Sequence, residues 1–131
     1  MERVDVAIAI VCRQKSVLIC RRRREDRLGG YWEFPGGKVE AGETIQQGLA
    51  RELREELDIE VEPLTALATI DHDYPDIQIR LHPFLCSHKA GEPRLLACTD
   101  AIWINASDLR QYQFPPANSG LIDDIVKCLS D

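Results

Sequence analysis

One stretch, from Gly36 to Ile59, constrains this chain more than any other: a glycine pair precedes a helix pattern that carries Glu52, Glu55 and Glu56. Side chains three and four residues apart share one face of a helix, so these carboxylates are expected to converge on one small volume. Crowded carboxylates repel one another, and a hard divalent cation relieves that repulsion. The stretch therefore predicts a metal-dependent site for phosphate chemistry, built on a helix.

The helix has a core-facing stripe of apolar residues at every fourth position: Ile45, Leu49, Leu53 and Leu57. Seven residues after Ile45 and Leu49 the pattern predicts apolar residues again, but Glu52 and Glu56 stand there. Two carboxylates therefore point toward the margin of the buried face, where an uncompensated charge costs several kcal/mol. Glu43 and Glu55 can complete an oxygen-rich cage around a cation.

The start of the helix is also legible. Thr44 with Gln47 three residues later fits a capping box, which places the first helical residue at Ile45. Gly48 inside the helix indicates close backbone packing, because glycine there costs about 1 kcal/mol relative to alanine. The alternative is an ordinary amphipathic helix with an exposed Arg51–Glu55 pair, but the glutamates in the apolar stripe favour the metal site.

The stretch resembles the Nudix box, in which a glycine, a glutamate six residues later and an Arg-Glu-apolar-x-Glu-Glu run recur at fixed spacing. The matching residues here are Gly37, Glu43, Arg51, Glu52, Leu53, Glu55, Glu56 and the closing Ile59. One position departs from the box, since Asp58 stands where the family has a glycine. Aspartate tolerates the left-handed turn that ends a helix there, so we expect a small stability cost and little effect on catalysis.

The length of 131 residues predicts one domain over residues 1–131. A net charge of −6 argues against stable nucleic-acid binding, and the sequence has neither a membrane-spanning run nor a signal-peptide pattern. The five cysteines are scattered and never spaced as C-x-x-C, which favours reduced thiols and a cytoplasmic location. The three histidines are scattered as well and indicate no metal cluster. Nothing in the sequence indicates an obligate protein partner.

The remaining pattern predicts a mixed sheet with helices on its faces. Strands are expected at 4–12, 16–22, 64–72, 77–87 and 101–105, with a turn at 74–76 and a second amphipathic helix through 121–129. This is an α/β (α+β) pattern, consistent with the α/β/α sandwich and catalytic loop-helix-loop that the Nudix resemblance implies.

The resemblance also implies a cofactor and its ligands. Magnesium, for which manganese can substitute, would be bound by Glu52, Glu55, Glu56 and the backbone carbonyl of Gly37. Arg51 would orient a glutamate rather than touch substrate. A glutamate of the site, such as Glu43, Glu52 or Glu56, or a more distant acid such as Asp100, would act as the base.

A run of four arginines, 21–24, is the densest basic segment in an acidic chain. Guanidinium groups match phosphate oxygens, but a run at the end of a hairpin is equally typical of a solvated surface. For Arg23 and Arg24 we favour the surface role. Arg22 occupies the position that contacts nucleotide in MutT-like members of the family, and there we favour substrate binding.

Asn118 follows the run Phe114-Pro115-Pro116, whose prolines stiffen the backbone before it. Its amide offers an acceptor and a donor together, which match N7–H and O6 of 8-oxoguanine, whereas guanine presents two acceptors. A mispaired buried group costs about 1–3 kcal/mol, so a fixed amide can discriminate between the two bases. The alternative is that Asn118 caps the last helix, a role that Ser119 could also fill.

Three segments narrow the resemblance to MutT-like 8-oxo-dGTP diphosphatases: residues 33–38, 74–76 and 114–118. The match implies that Phe34, through its backbone, and Asp76, through its carboxylate, line a purine pocket. Ile77 departs from the pattern, since the best-known members place an arginine near the base there.

The sequence therefore predicts a magnesium-dependent nucleoside triphosphate pyrophosphohydrolase that converts 8-oxo-dGTP to 8-oxo-dGMP and pyrophosphate. Two alternatives stay open. The first is a pyrophosphohydrolase of CTP or 5-methyl-dCTP, since such enzymes have a sequence similar to residues 32–40. The second is a non-catalytic nucleotide-binding Nudix domain, which would keep the fold but lose box glutamates, and none is lost here.

Overall fold

The computed structural model describes residues 2–129 apart from the side chain of Ala117. Along the chain, four strands precede the first α-helix, and four more strands separate it from the second. The strands are β1 (Glu2–Arg13), β2 (Ser16–Arg21), β3 (Trp32–Glu33), β4 (Gly36–Lys38), β5 (Glu60–Ala66), β6 (Ile70–Tyr74), β7 (Ile77–Ala90) and β8 (Asp100–Asn105). The helices are α1 (Ile45–Leu57) and α2 (Ser119–Leu129), with 3-10 turns at Ala106–Gln111 and Pro116–Asn118.

The eight strands form one mixed sheet in which β1 and β7 run parallel over their length and the other pairs are antiparallel. The order β3-β2-β1-β7-β5 is extended by β4 against β1, β6 against β7 and β8 against β2. The long β1 therefore lies at the centre, as its apolar, β-branched sequence predicts.

Both faces of the sheet are covered, because alternate residues of β1 and β2 enter different cores. Ala7, Ala9 and Val11 pack with the leucines of α1 on one face. Ile8 and Ile10 pack on the other face with the apolar side of α2. The predicted α/β/α sandwich is confirmed, and its physical basis is the period-two alternation of a strand buried on both sides.

Helix α1 begins and ends as its sequence predicts. The Thr44 hydroxyl accepts a hydrogen bond from the Gln47 amide, and the Gln47 side chain accepts one from the Thr44 amide at 2.9 Å. The chain leaves the helix through Asp58 at φ 55° and ψ 39°, the left-handed conformation expected where the family has glycine. A Cβ at Gly48 would lie 3.1 Å from Glu43 Oε1 and 3.3 Å from Val39, so the close packing predicted for this glycine is present.

The single strand predicted for 64–72 is wrong, since the structure breaks it into β5 and β6. Ala66 pairs with Phe84 and Ile70 pairs with Leu81, so the break lies opposite Pro83 of β7. Proline has no N–H to donate, and a ladder is interrupted where it stands. The Leu67 amide still donates to the Pro83 carbonyl at 2.9 Å.

The short strands β3 and β4 carry the segment from Trp32 to Lys38 into the sheet, which the sequence pattern did not predict. Gly36 and Gly37 pair with Ile8 and Ala7 of β1. This pairing fixes the glycine pair beside the central strand and brings it against α1. No helix in the described range is both long and apolar enough to cross a membrane.

Candidate active site

Glu52 of α1 lies against the backbone of β4. A Cβ built on Gly37 would lie 2.5 Å from the Glu52 carboxyl carbon and from its Oε2 atom. The side chain of Glu52 is 15% exposed. Glycine at position 37 therefore leaves the space that the Glu52 carboxylate occupies against this strand, because glycine has no Cβ.

Glu56, one turn further along α1, lies beside Glu52 and close to β4. Burial and the neighbouring charge of Glu52 raise the pKa of Glu56 to about 8, while the Gly36 backbone amide acts in the opposite direction. The two carboxyl groups thus form a half-buried pair next to the glycines, and their proximity disfavours the ionisation of both at once.

Arg51 binds the other acidic groups of the helix region. Its Nε atom donates to Glu43 at 2.7 Å, and its Nη1 atom donates to Glu52 and to Glu55, each at 3.0 Å. Its Nη2 atom donates to the Lys38 carbonyl at 3.1 Å, which ties the helix to β4. These contacts raise the pKa of Arg51, with Glu43 as the main cause, so its charge is permanent. The geometry is that of a residue that orients glutamates.

The predicted convergence of Glu52, Glu55 and Glu56 is not present in this structure. Glu55 is 59% exposed and turns to Arg51, four residues before it on the same helix face. Over residues 2–129 no group of three or more acidic, cysteine or histidine side chains is arranged to hold a metal ion. The structure brings together Glu52 and Glu56, whereas metal binding by Glu55 stays a prediction.

A polar cavity of about 210 Å³ opens beside Glu56. Its wall includes Glu33 of β3, Arg22 at the end of β2, and the thiols of Cys20 and Cys98. Arg22 Nη1 donates to Glu33 Oε1 at 2.8 Å. Burial raises the pKa of Glu33, and the Arg22 guanidinium opposes that shift.

A larger, mainly apolar cleft of about 490 Å³ adjoins this cavity. Phe34 lines the cleft and stacks on Phe114, with ring centroids 5.0 Å apart. The predicted residues Arg22, Phe34, Gly37 and Asn118 all line the cleft. Its size and lining suit a planar, partly polar ligand.

Asn118 is the residue of this cleft whose surroundings are most informative. The residue is buried, with 8% of its surface exposed, and lies at the end of a 3-10 turn. Its backbone N–H donates a hydrogen bond of 2.9 Å to the Pro115 carbonyl. Its side-chain amide has no hydrogen-bond partner in the described part of the chain, so it does not cap α2 there. Its polar atoms are not among the buried unsatisfied atoms of the described residues, so they are accessible from the cleft that the residue lines, where a ligand can hydrogen-bond to them.

Other predicted residues lie outside the two cavities. Asp76 is exposed in the turn between β6 and β7 and does not line the cleft, and neither does Ile77. Asp100 is exposed at the start of β8 and does not line either cavity. The roles of Asp76 and Asp100 stay predictions without support from these positions.

The arginine run is held mainly by backbone carbonyl groups. Arg21 donates to Gly30 at 3.0 Å and Arg23 to Leu96 at 2.9 Å, so both hold loops in place. Arg22 alone of the run lines the cavities. Substrate binding by Arg22 and a surface role for Arg23 and Arg24 stay predictions.

Sequence reasoning missed two parts of the site. Glu33 is the partner of Arg22, and a charged residue in an aromatic segment next to the glycines was the available signal. Arg27 lies over the ring of Tyr74 at 4.1 Å and lines the cleft, so a loop guanidinium lies on the side of β6. No sequence pattern indicated that contact, because it joins a loop to a distant strand.

The chain is similar to known proteins over most of its length. The NUDIX domain family matches residues 6–124. The 8-oxo-dGTP diphosphatase of Proteus vulgaris is 41% identical over 92 residues, which cover 70% of this chain and 82% of that protein. The CTP pyrophosphohydrolase of Escherichia coli K12 is 32% identical over 123 residues, 94% of this chain and 91% of that protein. A solved MutT structure, from work on Aliivibrio salmonicida and Vibrio cholerae, superposes with a TM-score of 0.79 at 30% identity and covers 95% of this chain and 96% of that one.

Proposed function

The chain belongs to the Nudix family, and from that premise we propose that it is a magnesium-dependent pyrophosphohydrolase that cleaves 8-oxo-dGTP to 8-oxo-dGMP and pyrophosphate. The observation that carries the proposal is the side-chain amide of Asn118, which lines the cleft next to the paired glutamates of α1 and makes no hydrogen bond to another described residue. Such an enzyme removes an oxidised precursor before a polymerase inserts it opposite adenine, which serves DNA repair and faithful replication.

The amide favours an oxidised purine because of its donor and acceptor pair. The carbonyl oxygen of Asn118 accepts from N7–H of 8-oxoguanine while its NH₂ group donates to O6. Guanine has a lone pair at N7, so the carbonyl would face an acceptor and remain unsatisfied in a buried setting. Phe34, Ile79 and Leu81 supply the apolar surroundings for the base.

The residues at α1 and β4 fit a divalent cation. Glu52 and Glu56 place two carboxylates side by side in a half-buried position, and a cation between them would remove the repulsion that raises the pKa of Glu56. With the Gly37 carbonyl they make a set of hard oxygen donors, which suits Mg²⁺ or Mn²⁺. When bound, the ion balances charge on the polyphosphate and acidifies a water molecule.

The chain's own residues supply the remaining parts of the mechanism. Arg51 fixes Glu43 and Glu52 through three hydrogen bonds of 2.7–3.0 Å, so these carboxylates are held before substrate arrives. One of these carboxylates would accept the proton of the attacking water, and the hydrogen bonds from Arg51 fix the position from which it does so. Arg22, at the wall common to the cleft and the polar cavity, is placed to contact a phosphate oxygen.

A second candidate is the hydrolysis of CTP or 5-methyl-dCTP. The similarity to the CTP pyrophosphohydrolase and the absence of an arginine at Ile77 favour it. A non-catalytic nucleotide-binding domain is disfavoured because Glu43, Arg51 and Glu52 are all present, with Arg51 donating hydrogen bonds to both glutamates.

A panel of nucleoside triphosphates with magnesium, scored for pyrophosphate release, tests the proposal. We expect 8-oxo-dGTP to have the highest kcat/KM, ahead of dGTP and CTP. A preference for cytidine nucleotides would select the second candidate. Resistance of all three, with cleavage of a dinucleotide or sugar nucleotide, would overturn the substrate assignment and leave the family membership intact.

The same proposal includes one catalytic domain, a nucleotide as its partner and a cytoplasmic location. The free state of the five cysteines supports a reducing compartment. The negative net charge of −6 supports action on free nucleotides rather than on nucleic acid.

A further inference from the structure

Arg22 and Glu33 line both the apolar cleft and the polar cavity. The cleft contains Asn118 and the cavity contains Glu56, so the pair lies at the junction between the proposed base site and the carboxylates. In a nucleotide bound between them, the group at that junction is the sugar and its first phosphate. The junction therefore requires a positive group of fixed orientation.

The Arg22 guanidinium is held at two of its three nitrogens. Nη1 donates to Glu33 at 2.8 Å and Nε donates to the Arg27 carbonyl at 2.7 Å. Nη2 has no hydrogen-bond partner within residues 2–129. An arginine held at Nε and Nη1 presents Nη2 in one direction, because the guanidinium is planar and rigid.

Glu33 is suited to hold this guanidinium in place. It belongs to β3, which is hydrogen-bonded to β2 through the pairs Cys20–Glu33 and Arg21–Trp32. The carboxylate and the guanidinium are each 31% exposed, so the pair is partly shielded from water. A carboxylate this close to a polyphosphate would repel it unless an arginine neutralised it.

We propose that Glu33 is a positioning residue, which aims Nη2 of Arg22 at the first phosphate of the nucleotide. The inference rests on the proposed function and adds to it a residue that does not itself touch substrate. Because every nucleoside triphosphate has this phosphate, the role does not depend on which base the cleft prefers.

A mutant cycle tests the inference. The variants are Glu33→Ala, Glu33→Gln, Arg22→Ala and the double alanine variant, with Glu62→Ala as a control because Glu62 lies exposed on β5 and pairs with Lys89. For each variant, kcat and KM are measured with the triphosphate that the panel selects. Kd is measured by calorimetry without metal for the corresponding monophosphate, or for 8-oxo-dGMP if no triphosphate is cleaved.

We expect Glu33→Ala to raise KM and Kd about tenfold and to change kcat by less than about threefold. A guanidinium that Glu33 no longer fixes weakens nucleotide binding but leaves the chemical step unchanged. Glu33→Gln should restore most of the affinity, because its amide oxygen can still accept from Nη1. The double variant should match Arg22→Ala, since Glu33 acts only through Arg22. Glu62→Ala should behave as wild type.

Three results would overturn the inference: unchanged KM and Kd in Glu33→Ala, additive losses in the double variant, or a kcat of Glu33→Gln as low as that of a site-glutamate variant. The last would make Glu33 a catalytic or metal-binding carboxylate. Failure of the proposed function gives a different result, in which wild type cleaves no nucleoside triphosphate. In that case the Kd cycle alone decides, and a wild type that binds no 8-oxo-dGMP overturns both.

Discussion

Glu52 and Glu56 occupy positions where a simpler helix would have apolar residues, and the structure shows what they do there. They lie together against the glycines of β4, and the pKa of Glu56 is raised to about 8 by burial and by its neighbour. Two neighbouring, half-buried carboxylates are unfavourable in the folded protein without a bound cation. Such perturbed groups are typical of functional sites.

Replacing either carboxylate by an amide should therefore abolish function and preserve the fold. We expect Glu52→Gln and Glu56→Gln each to lower kcat at saturating magnesium by orders of magnitude, because each removes a charged oxygen donor. Steady-state pyrophosphate release measures this, with Glu62→Gln as the control variant. Near-normal rates in both site variants would refute the assignment of these glutamates.

Asn118 is the residue on which the choice of base depends. We expect Asn118→Ala to raise KM for 8-oxo-dGTP at least about tenfold, since it removes two hydrogen bonds in a buried cleft. KM for CTP should hardly change, because cytosine lacks the N7–H and O6 edge. An equal rise of KM for both substrates would contradict purine recognition by Asn118.

At the scale of elements, the decisive contact is between α1 and the short strand β4. Helix packing brings Glu52 to Gly37. A hydrogen bond of 3.1 Å from Arg51 Nη2 to the Lys38 carbonyl also links the two elements. Neither element could form the site without the other.

The contact predicts an unusual sensitivity to a single methyl group. Gly37→Ala would place its Cβ 2.5 Å from the Glu52 carboxylate, so that side chain must move. We expect activity to fall by about 10²-fold, the usual cost of a displacement near 1 Å, with a small change in Tm. Gly120→Ala is the matched control, since its Cβ would meet no atom within 4 Å. A fully active Gly37→Ala enzyme would show that the Glu52 position is not required.

At the scale of the whole molecule, β1 and β7 form the parallel centre of the sheet and share an ionic contact. Asp5 of β1 accepts a hydrogen bond from His82 of β7 at 2.9 Å when that ring nitrogen carries a proton. This bond lowers the pKa of Asp5, and the charges of Arg3, His82 and Arg80 act in the same direction.

The lowered pKa makes stability depend on pH in a defined direction. The folded pKa of Asp5 lies below the unfolded value of about 3.9, so the unfolded chain binds more protons in acid. The stabilisation is complete above that value and is lost as the pH falls through the folded pKa. We expect Asp5→Asn to reduce the fall in unfolding free energy between pH 5 and pH 3, measured by urea denaturation. A slope equal to that of wild type would contradict this role.

The sequence by itself determined helix α1 and the strands that bury both faces. The capping box at Thr44, the left-handed residue Asp58 and the two glutamates in the apolar stripe are local features, because capping and periodicity act over a few residues. The Nudix resemblance followed from the same local spacing and is confirmed.

Only the tertiary structure decided how these parts meet. Glu55 turns toward Arg51, which is a choice among several rotamers that the sequence leaves open. The break of the strand opposite Pro83 and the position of Asn118 in the cleft depend on neighbours that are remote in sequence. The same holds for the pairing of Arg22 with Glu33 across two strands. Packing selects these contacts because a side chain gains free energy from whichever partner the fold brings near, and spacing along the chain does not specify that partner.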